Sequence, residues 1–403
     1  MKILRYALTG ALLLATLTAC GSGSTSSSTW PLSNQSPGAS YVQSIAFRNH
    51  TTMAWGNNGY GQLGNSSSGN SLTPVAVADL PRVAGIVTGG THSLAFKNLS
   101  GVWAWGNNGY GQLGNGTTTA SYKPAKVFKN NTSAHTYLDG VTAVAAGGNH
   151  SLALDATGTV WSWGGNTWSQ LGNDAPTGYN MTALPVLTSA SSGKVFTAVK
   201  ISAGGGFNLT LDASPGRVWA WGNNASGQLG DGTIVTRNFP VLVGTLSSAT
   251  AIAAGGSHSL ALLSDGTVVS WGYNKYGQLG NKSTVDALFP VPVVDANNIP
   301  LSGVVAIAAG LDHSLALDVN GKVWGWGYNV YGQLGQGTTT DSNVAVPITI
   351  PGLPFIDRIL AIGYHSLAFS GGKGWSWGDN TYGQVGNNST TNVLAPVPIS
   401  GYP

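Results

Sequence analysis

The sequence predicts an all-β fold, a seven-bladed β-propeller with four short antiparallel strands per blade. Three observations predict it. The stretch Trp105-Gly-Asn-Asn-Gly-Tyr-Gly-Gln-Leu-Gly114 recurs in variants that begin at Trp55, Trp105, Trp163, Trp221, Trp271, Trp326 and Trp377. Successive copies lie 50 to 58 residues apart, the period of a propeller, a solenoid or an array. The composition also disfavours helix: 59 of 403 residues are glycine, and all 14 acidic residues are Asp, so the helix-forming Glu is missing. Finally, between signatures the chain runs through short alternating apolar stretches broken by turn residues.

The fifth repeat shows the plan of each blade. Ala251-Ile-Ala-Ala-Gly-Gly256 has almost no side chain and suits a crowded inner strand near the axis. His258-Ser-Leu-Ala-Leu262 alternates as a second strand, Ser264-Asp-Gly-Thr267 is a hairpin signal, and Val268-Val-Ser-Trp271 is the third strand. A proline then opens a fourth, edge strand, because it lacks a donor. Pro74, Pro124, Pro240, Pro290 and Pro396 all follow the closing glycine of the signature at one offset. Pro185 and Pro347 come later, which predicts small loop insertions. In the Trp-x-Trp pairs both rings share one strand face and are expected between blades. The first repeat has Gln43-Ser-Ile-Ala-Phe47 in place of His-Ser-Leu, so ring closure is expected there, with residues near Trp30 to Tyr41 meeting the last blade.

The N-terminus reads as an address. Residues 1–19 form a lipoprotein signal peptide, with Lys2 and Arg5 before the apolar run Ala7 to Leu17. Leu17-Thr-Ala-Cys20 matches a bacterial lipobox with Cys20 as the lipidated residue; the other reading is an ordinary secretory signal with an incidental Cys. Residues 20–40 are a Ser/Gly/Thr-rich tether in which Trp30 is the one large apolar residue, and the propeller occupies 41–403. Gly21, where Asp would favour inner-membrane retention, points to the outer membrane or cell surface. Processing leaves 15 basic and 14 acidic residues, so nothing resembles a nucleic-acid footprint. The expected molecule is an exported monomer, attached to the membrane through its N-terminal lipid alone.

The pattern Ala-Gly-x-x-His-Ser-Leu-Ala-Leu, followed by Gly-x-Val-Trp-x-Trp-Gly-x-Asn-x-Tyr-Gly-Gln-Leu-Gly, resembles the regulator of chromosome condensation repeat family from about Tyr41 onward. The resemblance implies a seven-bladed propeller. Eukaryotic members act as exchange factors for a nuclear small GTPase and dock on nucleosomes, activities that an export signal would place out of reach. A bacterial relative of the same fold is a secreted inhibitor that binds β-lactamases through one face.

The chemical motifs read as architecture. Gly109-Tyr-Gly-Gln-Leu-Gly114 fits the dinucleotide fingerprint but lacks the helix that would hold a pyrophosphate. His92, His150, His258, His313 and His365 take one equivalent place per blade, spread around the ring, so no metal is expected; their rings are expected to bond nearby backbone. The adjacent Ser93, Ser151, Ser259, Ser314 and Ser366 point to the opposite strand face, which excludes a Ser-His dyad within a blade. Asp155, Asp265 and Asp318 are turn residues. No catalytic residues, metal or cofactor are expected, and the chain is read as a non-enzyme.

The signature-loop aromatics Tyr60, Tyr110, Trp168, Tyr276, Tyr331 and Tyr382 form a ring on one rim, either as inter-blade packing or as anchors for an extracytoplasmic protein partner. Phe128 to Tyr137, Asn173 to Met181 and Pro351 to Phe355 offer a second, loop-built surface. The functional expectation is a cell-envelope lipoprotein that binds a protein or envelope partner by one rim. The narrower alternative is an inhibitor of a β-lactamase or other wall enzyme, and the remaining ones are a loop-built enzyme or a GTPase exchange factor.

Overall fold

Each repeat folds into one antiparallel sheet whose strands lie in chain order. In blade 5 they are Ala249–Ala254, His258–Leu263, Val268–Gly272 and Ala287–Pro292. The computed structural model describes residues 42–48, 51–130, 136–175, 178–213, 216–352 and 355–402. Among these, seven sheets follow one another. Six contain the four-strand set, and the first shows the three strands Gln43–Arg48, Thr51–Gly56 and Ser71–Ala76. The expected signal peptide, Cys20, the expected tether and the expected closure segment from Trp30 to Tyr41 lie outside the described residues.

The small-residue run is the innermost strand, and its glycines are there because nothing larger fits. A Cβ on Gly255 would stand 2.3 Å from His258 Cε1 and 2.7 Å from Gly310 O. The same collision recurs at Gly89, Gly147, Gly204 and Gly310. Successive inner strands are in contact there: Gly90 N–H donates to Gly147 O, Gly148 to Gly204, Gly205 to Gly255, Gly256 to Gly310 and Leu311 to Gly363.

The core lies between blades. The second tryptophan of each repeat is fully buried, and its indole N–H donates to the backbone carbonyl of the signature glutamine in the preceding blade. Blade 1 is tied to blade 7 by the same bond, Trp55 Nε1 to Gln384 O at 2.9 Å. Ala46, Trp55, Leu367, Phe369 and Tyr402 pack together at this junction, and Tyr402 OH donates to Phe47 O. The ring is thus closed through side chains that obey the common pattern.

Three details depart from the expectations. The prolines do not open the edge strand. Gly272 pairs with Ala287 and Ser270 with Val291, so Leu288, Phe289 and Pro290 stand opposite Trp271 alone. Pro290 therefore sits in a bulge, where no ladder bond is lost. Pro347 marks no insertion: Gly327 pairs with Ser342 at the same interval, and Pro347 opposite Trp324 takes the place that Pro292 has opposite Val269. The stretch from Phe128 to Tyr137 is not simply a loop. Phe128–Lys129 and Thr136–Tyr137 pair as a small hairpin beyond the edge strand Tyr179–Pro185 of blade 3, covering backbone groups that would otherwise be open.

Candidate functional site

The third-to-fourth-strand loops and the first-to-second-strand turns lie at one end of every sheet, and together they build the rim. The loop shape comes from two buried amides. Asn108 Oδ1 accepts Leu113 N–H at 3.0 Å, and its Nδ2 donates to the carbonyls of Thr117 and Thr119. Asn58, Asn166, Asn224, Asn274, Asn329 and Asn380 repeat the first of these bonds. Gln112 Oε1 accepts the N–H of Tyr110 at 2.9 Å, again as in every other blade. Gly114 adopts φ +62°, and a Cβ there would lie 2.8 Å from Trp163 Nε1. The glycines of the apparent dinucleotide fingerprint thus serve a turn and a tryptophan, which accounts for them without a phosphate.

Beneath the loops runs a belt of buried polar side chains. His92 Nε2 lies 2.9 Å from Ser151 Oγ of the next blade; His258 reaches Ser314, His313 reaches Ser366 and His365 reaches Ser44 in the same way. Each of these serines donates its proton to a signature-glutamine carbonyl, as Ser151 does to Gln112 O at 2.9 Å. The hydroxyl proton is committed, so the imidazole must be the donor, through Nε2–H. His150 confirms the direction. Its partner is Asn208 Oδ1 at 2.7 Å, while Asn208 Nδ2 donates to Gln170 O. The expected backbone partner for these rings is thus corrected: the main link is a side chain one blade away.

Nδ1 of His92, His150, His258 and His313 is buried against an inner-strand glycine, and these atoms and His365 Nδ1 have no hydrogen-bond partner among the described residues. Protonation would strand a buried N–H there, except at His258, where the Leu311 backbone favours the charged ring without offsetting its burial. Burial accordingly lowers His92, His313 and His365 to about 3 and His150 and His258 to about 4. A neutral imidazole that donates to a serine already facing a carbonyl cannot act as the base for that serine. The pairing that was excluded within a blade does form across blades, but as a structural link.

The rim aromatics stand above the belt. Tyr60, Tyr110, Trp168 and Tyr382 are 49%, 45%, 48% and 38% exposed, and Tyr276 and Tyr331 are half-buried. Trp168 touches the neighbouring blade without being enclosed by it: a Cβ on Gly206 would lie 2.9 Å from its ring. On blades 5 to 7 the rim is different. Tyr273, Tyr276, Tyr328, Tyr331 and Tyr364 form one cluster with ring centroids 4.6 to 6.3 Å apart. Tyr364 OH donates to Asp312 Oδ2 and Gln278 Nε2 to Asp312 Oδ1, both at 3.1 Å. Burial raises the Asp312 carboxyl.

With the geometry in place, comparison with known proteins gives a consistent result. A family profile described as RCC1-like domain matches residues 129–403. The regulator of chromosome condensation (RCC1) repeat matches 49–96 and 100–154. The chain belongs to the RCC1 family. It is 31% identical over 385 residues to the secretion-regulating guanine nucleotide exchange factor of Bos taurus, covering 87% of this chain and 78% of that protein. It is 30% identical to the human E3 ubiquitin-protein ligase HERC2 over 67% of this chain, but spans only 6% of that ligase. It is also 30% identical to the Arabidopsis thaliana ultraviolet-B receptor UVR8, spanning 59% of it. Yeast RCC1 (Prp20) in complex with Kap60 superposes with a TM-score of 0.72 at 23% identity, over 96% of this chain and 91% of that one. Human WBSCR16 gives 0.74 at 22%, over 86% and 93%. These two likenesses establish the fold.

Within this RCC1-family ring, the sequence signal found the six loop aromatics but missed the companions of two of them, Tyr276 and Tyr331. Tyr273 and Tyr328 occupy a loop position held by Asn57, Asn107 and Asn223 in other blades, and Tyr364 and Asp312 precede the belt histidines. The signal was present in the sequence. It lay in the blade-to-blade variation at those two positions and not in the repeating letters.

Proposed function

We propose that this RCC1-family propeller is a non-enzymatic binding module that docks a protein partner on its signature-loop rim. One observation carries the reading: the loop aromatic contributes its backbone N–H to the architecture, but its side chain is not needed for it. In blade 4 the position is Ser226, whose N–H donates to Gln228 Oε1 at 2.9 Å, as Tyr110 donates to Gln112. Retaining large, half-exposed aromatics at six such positions fits hot-spot anchors. The yeast relative's complex with Kap60 supports protein binding as a use of the fold. A photo-crosslinker in place of Tyr276 should capture one saturable partner from intact cells. The same group at Val319, an exposed hairpin residue on the opposite rim, should capture none. Equal capture from both rims would overturn the assignment.

The partner is read as extracytoplasmic, with the propeller exported and held at the bacterial cell envelope by a lipid on Cys20. Cys20→Ser should abolish palmitate labelling and shift the protein out of the membrane fraction; unchanged labelling would refute the anchor. The resemblance to the bovine exchange factor favours one second reading, guanine nucleotide exchange. Accelerated release of fluorescent GDP from a small GTPase would support it over the envelope role.

A further inference from the structure

The tyrosine cluster of blades 5 to 7 has a chemistry of its own. Five half-buried rings touch in tilted and edge-on arrangements, so they are not stacked face on face. The surrounding charge is mostly negative. Asp286 and Asp341 accept the backbone N–H groups of Asn274 and Asn329, and Asp312 lies among Tyr273, Tyr328 and Tyr364. Among the described residues, none of these three carboxylates forms an ion pair. Lys275 Nζ lies 5.6 Å from the Tyr276 centroid, so a ring of this cluster already faces a positive charge. The opposite arc of the rim has no such arrangement. There Asn57, Asn107 and Gly165 replace the inner tyrosines, and Thr91 and Asn149 replace Asp312.

We propose that the Tyr273-Tyr276-Tyr328-Tyr331-Tyr364 cluster, with Asp312, receives an arginine side chain of the docked partner. This rests on the rim-docking reading above and names the chemistry of one anchor. π faces and an uncompensated carboxylate attract any cation, but only a donor-bearing one uses both. Asp312 oxygens each hold one neutral donor, Tyr364 OH and Gln278 Nε2, which leaves lone pairs for a guanidinium fork. The planar guanidinium also stacks on tyrosine, whereas a quaternary ammonium has no N–H to give the carboxylate. A cation here would supply the compensation that burial has removed from Asp312.

The test is a titration of the full chain, carrying 13C-labelled tyrosine rings, with acetyl-Gly-Arg-Gly-amide. The citrulline peptide and tetramethylammonium chloride serve as comparison probes. The arginine peptide should shift the Tyr328 and Tyr364 ring signals and leave Tyr60 and Tyr110 unmoved. Asp312→Asn should weaken the binding about tenfold, and Tyr328→Leu by a similar factor, the range of a desolvated cation–π contact. Tyr328→Phe keeps the π face and should stay within about twofold of wild type, which guards against misfolding as the explanation. No shift with the arginine peptide, or an equal shift with citrulline, overturns the proposal. So does an equal response to tetramethylammonium that survives Asp312→Asn, which would assign the cluster to a small quaternary ammonium ligand. Crosslinking at the Tyr276 position without any of these shifts would leave rim docking standing and sink only the arginine anchor. Loss of both would sink both.

Discussion

Blades 4 and 5 share a sheet, a loop and a buried tryptophan, but they differ at three positions that recur around the ring. Blade 4 has Phe207, Asn208 and Ser226 where blade 5 has His258, Ser259 and Tyr276. Asn208 takes over both tasks of the belt serine, accepting from His150 Nε2 through Oδ1 and donating to Gln170 O through Nδ2. Phe207 offers no hydrogen bond, and across the interface Ser259 keeps only its bond to Gln228 O. In blade 1 Gln43 stands at the histidine position and gives its Nε2–H to Gly89 O at 3.2 Å. Two interfaces therefore lack the imidazole link and five possess it, while the tryptophan-to-glutamine bond is present in all seven. The buried tryptophan is what the ring requires. The imidazole is an addition, and it brings a cost that appears only in acid.

That cost gives the largest expected effect. The five belt histidines are neutral when folded, with values of about 3 to 4, against 6.5 for a free imidazole. Between these limits the unfolded chain binds more protons than the folded one. Stability is complete above about pH 6.5 and falls as the pH drops through the window toward 3 to 4. By pH 5 each histidine removes about 2 kcal/mol, so together the five remove about 10 kcal/mol, comparable with the whole stability of many domains. Urea unfolding midpoints between pH 8 and pH 4.5 should show this loss. A flat profile would mean that protonation is accommodated and that Nδ1 finds a partner.

A smaller effect is expected when the two kinds of interface are exchanged. His313→Phe copies Phe207, and Ser366 keeps its bond to Gln333 O. At neutral pH it should cost about 1 kcal/mol, the net worth of one buried hydrogen bond. It should also make the acid profile shallower by one proton. Phe207→His should restore the link toward Ser259 and steepen the profile by one proton. If His313→Phe left the slope unchanged, the belt would not be the source of the acid sensitivity.

These pairings show where the sequence was legible. The sheet order, the inner glycine strand and the buried tryptophans followed from letters that recur, because each depends on chemistry within one repeat or on a collision common to all repeats. The partner of His92 is Ser151, a residue of the next blade, and nothing local points to it. Pro347 misled for a related reason: its offset changed while the strand register did not, since two positions on the edge strand admit proline. The tyrosine cluster escaped because a repeat consensus averages away single-blade differences, and an asymmetric site is made of those differences. Cys20 and the signal peptide were read from the sequence alone.

The smallest expected effect separates rim from belt most directly. Tyr110→Ser places in blade 2 what blade 4 already has at Ser226. The loop bonds that define the turn come from Asn108, Gln112 and the backbone, and none uses the phenol ring. Tyr110 is nearly half exposed, so its removal forfeits little enclosed packing. The variant should lie within about 0.5 kcal/mol of wild type in urea unfolding, as surface substitutions generally do. A loss of 2 kcal/mol or more, the size of a buried aromatic contact, would mean that Tyr110 is a structural member of the blade 2 to blade 3 interface. The packing explanation for the six aromatics would then displace the docking one. A near-neutral result would leave partner binding as the better account of why six of the seven loops carry an aromatic that blade 4 lacks.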